Sequence, residues 1–102
     1  MFEQIEQVVE EIVKAVGPEK VILISRKLSL SGEELGSFKL CVVLEDGDKE
    51  AAERKIYTTV DSDIPFDVVI YHRADFENYA QMLGAFAWKI ANTGRVLYEK
   101  RR

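Results

Sequence analysis

Two spacings of hydrophobic residues follow each other in the first half of the chain and predict a helix and two strands. Apolar residues recur at helical spacing over 2–16 with glutamates on the other face, and Gly17 ends this helix. The apolar run 21–24 is too short for a helix and predicts a strand. Residues 26–36 mix serine, glycine and charge without a period, which predicts a loop or a ragged hairpin. The apolar run 40–44 therefore predicts a second strand, antiparallel to the first.

The second half of the chain predicts a short helix, a strand and a longer helix. Asp48 ends a turn and is a good N-cap for a helix over 49–62. A third strand is predicted over 66–71, and the helix before it is long enough for a right-handed crossover between parallel strands. Asp75 is predicted to cap a last helix that ends at Gly94, after which the tail begins as a short extended piece.

These elements predict a single domain over 1–102 of the α/β (α+β) class, with a three-stranded mixed sheet in the order α-β-β-α-β-α. Hydrophobic residues make up 47% of the chain, enough for one core. Cys41 is the single cysteine, so a disulfide framework and a structural zinc site are excluded.

Charge and hydropathy restrict the partners and the location. The formal net charge of -4 makes nucleic acid an unfavourable main partner, since duplex binding draws on a basic surface. Residues 1–14 carry acids where a secretory signal carries bases, and no apolar run approaches the roughly 18 residues of a membrane span. The expectation is a cytoplasmic protein with no membrane contact.

The stretch IPFDVVIYHRADFENY, the apolar helix after it and the segment NTGRVLYE carry a resemblance that extends over nearly the whole chain. They are similar to the third strand, last helix and terminal Gly-x-x-Leu-Tyr-Glu signature of the minimal nucleotidyltransferase domain, a small relative of the DNA polymerase beta palm. The resemblance implies a nucleotidyltransferase-like fold. In that family Asp-x-Asp on the second strand and a carboxylate on the third hold two magnesium ions that bind nucleotide phosphates.

The family's metal-binding positions are altered in this chain. Ser37-Phe38-Lys39 stands where the family has Asp-x-Asp, and Asp67 falls at the third carboxylate. One carboxylate beside an amine does not hold two divalent cations, so we expect no catalytic residues, no magnesium and no other cofactor. Because alternate strand residues share a face, Lys39 is predicted to form an ion pair or close approach with Asp67 on the neighbouring parallel strand.

The family's phosphate-binding turn is altered too. Ile24-Ser25 replaces its Gly-Ser, while Ser25-Arg26 matches the Ser-Arg that often follows. Together with Lys39, Ser25 and Arg26 could bind phosphate directly, without a metal. The degenerate site thus consists of Ser25, Arg26, Ser37, Lys39 and Asp67.

Several other residues are of types that occur in binding or catalytic sites, and each also has a purely structural or surface interpretation. Asp61-Ser62-Asp63 imitates the family's acidic motif, but its spacing fails and solvated loop acids are the better interpretation. His72 is predicted to be exposed or hydrogen-bonded at the surface rather than a base. The pairs at 26–27 and 54–55, with Arg73, either converge as a phosphate-binding rim or are separate solvated charges.

Three functions from different classes remain open. The first is a degenerate nucleotidyltransferase-like module for protein interaction or regulation. The resemblance implies a helical partner of the HEPN kind, as in toxin-antitoxin pairs, and the widely apolar last helix around Trp88 would also suit a homodimer. The second is a metal-independent nucleotide sensor using Ser25, Arg26 and Lys39. The third is an active transferase in which Asp67 acts with Asp46 or Asp63.

Overall fold

A mixed β-sheet forms the centre of the computed structural model, which describes residues 2–101. Within that range the sheet has four strands in the spatial order β3-β2-β1-β4. β1 is antiparallel to both of its neighbours, β2 and β4, whereas β2 and β3 are parallel. The strands are β1 (Lys20–Leu28), β2 (Leu35–Leu44), β3 (Phe66–His72) and β4 (Arg95–Glu99).

Helices cover both faces of the sheet, which is why β2 is continuously apolar from Leu40 to Leu44. Alternate residues of β2 face opposite sides. Leu40 and Val42 join a core with the first two helices, while Cys41 and Val43 join a core with the last two. The helices are α1 (Glu3–Val16), α2 (Lys49–Thr59), α3 (Arg73–Tyr79) and α4 (Phe86–Thr93).

The predicted end of the first helix and the predicted start of the second are confirmed by their caps, whereas the second helix ends at Thr59 rather than at 62. Gly17 has φ 56°, a left-handed conformation that favours glycine, and its N–H donates to the carbonyl of Val13 at 3.0 Å. The Asp48 carboxylate accepts the backbone N–H groups of Glu50 and Ala51 at 2.9 and 3.2 Å. The parallel pairing of β2 with β3 across α2 also follows the prediction.

The prediction of three strands and one last helix is wrong in two places. The tail forms β4, which pairs with the free side of β1, so the sheet has a fourth strand. The predicted last helix is two helices, because the chain turns at Gly84 with φ 90° between α3 and α4. His72 occupies the N-cap position of α3, and Asp75, the predicted cap, lies in its first turn.

The region 26–36, predicted as a loop or ragged hairpin, is a hairpin whose strands extend further than expected. β1 continues to Leu28, which pairs with Leu35 at the start of β2. The turn between them contains Gly32 at φ 77°. Because most of β1 beyond Ile24 is exposed, its polar residues gave no apolar pattern from which a strand could be predicted.

Candidate functional site

Three of the predicted site residues form a row across neighbouring strands. Ser25 of β1 pairs with Lys39 of β2, and Lys39 pairs with Asp67 of β3. Directly paired residues of a sheet project from the same face, so the three side chains share one face near the end of the sheet. Ser37 lies two residues before Lys39 on that face and pairs with Lys27. We call Ser25, Lys39 and Asp67 the polar row.

An irregularity in β1 places Ser25 in the polar row. Leu23 pairs with Leu40 and Ser25 pairs with Lys39, so Ile24 is an extra residue in β1. In a regular strand Ser25 would share the face of Leu23, which packs in the α1 core. A bulge of this kind re-aims the following side chains. Ser25 therefore faces α4 rather than α1.

Two cavities meet at the polar row. One of about 230 Å³ lies at the end of the sheet and is lined by the whole row, with Lys27 and Ser37. The other, also about 230 Å³, lies between the sheet and α4. Its lining includes Ser25 and Lys39 from the sheet and Phe86, Lys89 and Thr93 from α4. Lysine and hydroxyl side chains thus surround an open space on the α4 face.

The predicted ion pair between Lys39 and Asp67 is not formed, whereas the alternative, a close approach, agrees with the direct pairing of the two residues in the sheet. In the described part of the chain, the side chains within salt-bridge distance of each other are Lys20 with Glu99 and Arg73 with Glu45. Asp67 is exposed and Lys39 is half-buried. An exposed pair contributes only about 0–1 kcal/mol, which is comparable to the side-chain entropy lost on pairing.

Arg26 belongs to the other face of the sheet. Its guanidinium lies 5.2 Å from the ring centroid of Phe2, a cation–π distance. It reaches the cavity at the end of the sheet but does not line the cavity under α4. The predicted convergence of Arg26 with Ser25 and Lys39 is therefore only partial.

The wider phosphate-binding rim is not formed. Arg73 follows the far end of β3, about 20 Å from Asp67 along the strand. There its guanidinium forms a salt bridge with Glu45 at 3.0 Å. The cations at 54–55 are exposed on α2, on the sheet face opposite to the polar row. These residues are separate surface charges, the plainer of the two interpretations.

His72 is hydrogen-bonded at the surface, as predicted. Its Nε2 lies 2.6 Å from the carbonyl oxygen of Gly47 in the turn before α2. This hydrogen bond connects the end of β3 to the turn that precedes α2. It lies at the end of the sheet away from the polar row, so His72 is not positioned to act on a ligand there.

The acidic residues considered for a metal are dispersed. Asp46 follows the far end of β2, which runs for about 16 Å beyond Lys39. Asp63 lines a small cavity beside α1, and Asp61 donates its backbone N–H to Glu11 at 3.3 Å. Over residues 2–101, no three histidine, cysteine, aspartate or glutamate side chains are grouped so that they could hold a metal ion. Asp67 is therefore not part of such a group.

Sequence reasoning missed two polar residues at these cavities, Lys89 and Thr93, and considered Lys27 only for the wider phosphate-binding rim. Lys27 pairs with Ser37 because the hairpin extends further than predicted. Lys89 and Thr93 lie one turn apart on α4, and the Thr93 hydroxyl donates to the Lys89 carbonyl at 2.7 Å. Their spacing of four residues was a signal that they share a helix face.

Comparison of the chain with protein-family models, with curated proteins and with solved structures found no match. None of the helices between residues 2 and 101 is both long and apolar enough to cross a lipid bilayer.

Proposed function

We propose that this chain is a degenerate nucleotidyltransferase-like module that acts by binding rather than by metal-dependent transfer. Its role in this proposal is protein interaction or regulation. The resemblance in sequence and the order of helices and strands support a nucleotidyltransferase-like origin. The observation that carries the functional part is the polar row, in which a lysine lies between a serine and the single carboxylate.

The chemistry of two-metal transfer explains why the row matters. Two magnesium ions need several carboxylates that share them and offset their charge. At the end of β2, the side chains that share the face of Asp67 are Ser37 and Lys39. A serine hydroxyl is a weak magnesium ligand, and an ammonium group repels the ion. A cation in the middle of the row therefore opposes the transfer mechanism.

An exposed apolar surface supports the interaction role. Tyr79, Met82, Leu83 and Phe86 lie at the junction of α3 and α4, and Leu83 is 83% exposed. Large apolar side chains grouped at a surface are typical of partner contacts. In this proposal the surface contacts a helical protein of the HEPN kind or a second copy of the chain.

A metal-independent nucleotide sensor is the second candidate, and the state of Lys39 favours it. Its ammonium group makes no salt bridge with a described carboxylate, and it borders both cavities of the site. Lysine side chains bind phosphate without a metal as point charges. An unpaired lysine beside open space is suited to an anionic ligand.

Calorimetric titration with ATP and with CTP, each with and without magnesium, tests both candidates. We expect no magnesium-dependent binding by the wild-type chain. Binding that is independent of magnesium and lost in Lys39→Gln would establish the sensor instead. Binding that requires magnesium would refute the degenerate site.

A gain-of-function variant tests the proposed alignment with the family. Ser37→Asp combined with Lys39→Asp would place three carboxylates on one face, with Asp67 as the third. We expect this variant to bind magnesium in the same calorimeter. Ser31→Asp with Lys55→Asp is the matched control, because it also converts one exposed serine and one lysine to aspartate but does not complete the row. Equal magnesium binding by both variants would contradict the alignment.

A further inference from the structure

The two edges of the sheet differ in how they are covered. At the β3 edge, the Tyr57 hydroxyl of α2 accepts the backbone N–H of Val68 at 2.9 Å. At the β4 edge, β1 is the only strand in the described chain that pairs with β4, and no described side chain hydrogen-bonds to its backbone. Arg95, Val96 and Glu99 of β4 are exposed. An uncovered edge presents unpaired N–H and C=O groups to another strand.

An apolar groove runs beside the open edge. Its volume of about 470 Å³ is twice that of either cavity at the polar row. Leu97 and Tyr98 of β4 line it on one side. These consecutive residues both pack toward α1 because the pairing with β1 shifts there by one residue, so that Val21 faces Tyr98 and Ile22 faces Val96. The bulge thus increases the apolar surface of the groove.

The α1 side of the groove carries apolar and charged residues in a helical stripe. Val9 and Val13 contribute its apolar part. Glu6 lies at one end of the stripe and Lys14 at the other, with Glu10 between them. α1 is joined to β1 by a short turn, and β1 is antiparallel to β4, so α1 runs in the same direction as β4.

We propose that a second copy of this chain occupies the groove and pairs its β4 with β4 in an antiparallel, two-fold symmetric dimer. Antiparallel pairing of the two β4 strands gives hydrogen-bond partners to the unpaired N–H and C=O groups of both edges. The same symmetry makes the two α1 helices antiparallel, so the Glu6 end of one stripe faces the partner's Lys14. Opposite charges and apolar side chains are thus complementary between identical surfaces.

This dimer differs from one formed by the exposed residues of α3 and α4. It joins two four-stranded sheets into one continuous sheet of eight strands and encloses the groove residues Val9, Val13, Leu97 and Tyr98. It does not depend on the nucleotidyltransferase-like proposal, because no residue of the polar row contributes to it. The two proposals can therefore fail separately.

Sedimentation equilibrium of the full chain tests the dimer. We expect the wild-type mass to rise to twice 11.7 kDa as the protein concentration is raised towards about 1 mM. Glu6→Lys sets bases against the partner's Lys14, and Lys14→Glu sets acids against the partner's Glu6. We expect each variant alone to dissociate at least about tenfold more readily.

A mixture of the two variants is the decisive arm, because each variant then complements the other at both contacts. We expect equimolar Glu6→Lys and Lys14→Glu to form a dimer as stable as the wild type. Circular dichroism shows whether each variant is folded, and recovery in the mixture excludes misfolding as the cause of dissociation. Leu83→Lys, at the exposed surface of α3 and α4, is the control and should leave the mass unchanged.

Three results would overturn the proposal. The first is a wild-type chain that stays monomeric throughout the concentration range. The second is a dimer that persists in both single variants, or variants whose mixture stays monomeric. The third is a dimer that Leu83→Lys dissociates and Glu6→Lys does not, which would place the interface on α3 and α4.

Discussion

Gly94, at the junction of α4 and β4, is the position where we expect one added methyl group to destabilise the fold most clearly. A Cβ at this residue would lie 2.6 Å from Cγ2 of Ile22 and 2.6 Å from the carbonyl oxygen of Ile90. Ordinary contacts of a Cβ begin at 3.4 Å. The backbone at Gly94 has φ -77° and ψ 165°, which alanine adopts readily, so the conflict is purely steric.

Neither neighbour of the added methyl group can yield easily. The carbonyl of Ile90 accepts the N–H of Gly94 at 2.8 Å, so moving it away breaks the bond that ends α4. The Ile22 side chain is 2% exposed and packs against Ile90 and Ala87. Overpacking of this kind typically costs about 1–3 kcal/mol. For a domain of this size, each kcal/mol lowers Tm by about 4–8 °C.

Thermal unfolding followed by circular dichroism measures the effect of Gly94→Ala. We expect Tm to fall by roughly 8–16 °C, which corresponds to about 2 kcal/mol. Gly17→Ala is the comparison, because a Cβ there meets nothing within 4 Å and its cost is the left-handed backbone alone, about 1–2 kcal/mol. A Tm within about 2 °C of the wild type for Gly94→Ala would show that the junction relaxes without cost and would refute the steric argument.

Two further predictions concern the cap of α2 and the buried thiol. Asp48→Ala removes the acceptor for two backbone N–H groups and should lower the free energy of unfolding by about 1 kcal/mol, measured by urea titration, whereas Asp46→Ala should leave it nearly unchanged. Burial raises the pKa of Cys41 from 9.0 to about 12, so the folded state holds its proton where the unfolded state loses it. The stability that this pKa shift contributes is fully present below pH 9 and is lost as pH rises towards 12, and a Cys41→Ala variant with the same alkaline slope would contradict this.

The elements predicted correctly are those whose residues are buried on a regular pattern. α1 has one apolar stripe, and β2 is covered on both faces, so each has an unambiguous spacing. The tail strand β4 lies at an edge, with three of its five side chains exposed, and the second half of β1 is exposed as well. Strands with little burial carry no strong periodicity, which explains why the tail was predicted only as a short extended piece and the hairpin strands were predicted too short.

The break between α3 and α4 was hidden for a different reason. Apolar residues from Phe76 to Ile90 keep a helical spacing although the chain leaves the helix between 80 and 85. Met82 and Leu83 lie in this connection and are exposed rather than packed in the core. Gly84 was the local sign of the break, since its φ of 90° is unfavourable for other residues.

At the candidate site, the sequence determined the register but not the side-chain contacts. The crossover through α2 and the alternation of strand residues were sufficient to pair Lys39 with Asp67. The bulge at Ile24 was not predictable, because an extra strand residue leaves no pattern in one sequence. Whether Lys39 and Asp67 form a salt bridge depends on a free-energy difference of less than about 1 kcal/mol. Residue patterns do not resolve a difference that small.

The polar row and the proposed dimer interface are compatible because they occupy different parts of the sheet. The row crosses β1, β2 and β3, while the second copy would add beyond β4 on the other side of β1. A two-fold axis perpendicular to the joined sheets keeps each face on its own side, so both copies of Lys39 would project from the same face of the dimer. A partner that binds beside Lys39 would then meet two equivalent sites on one surface, and a partner with two such contacts would gain avidity without any new interaction in either site.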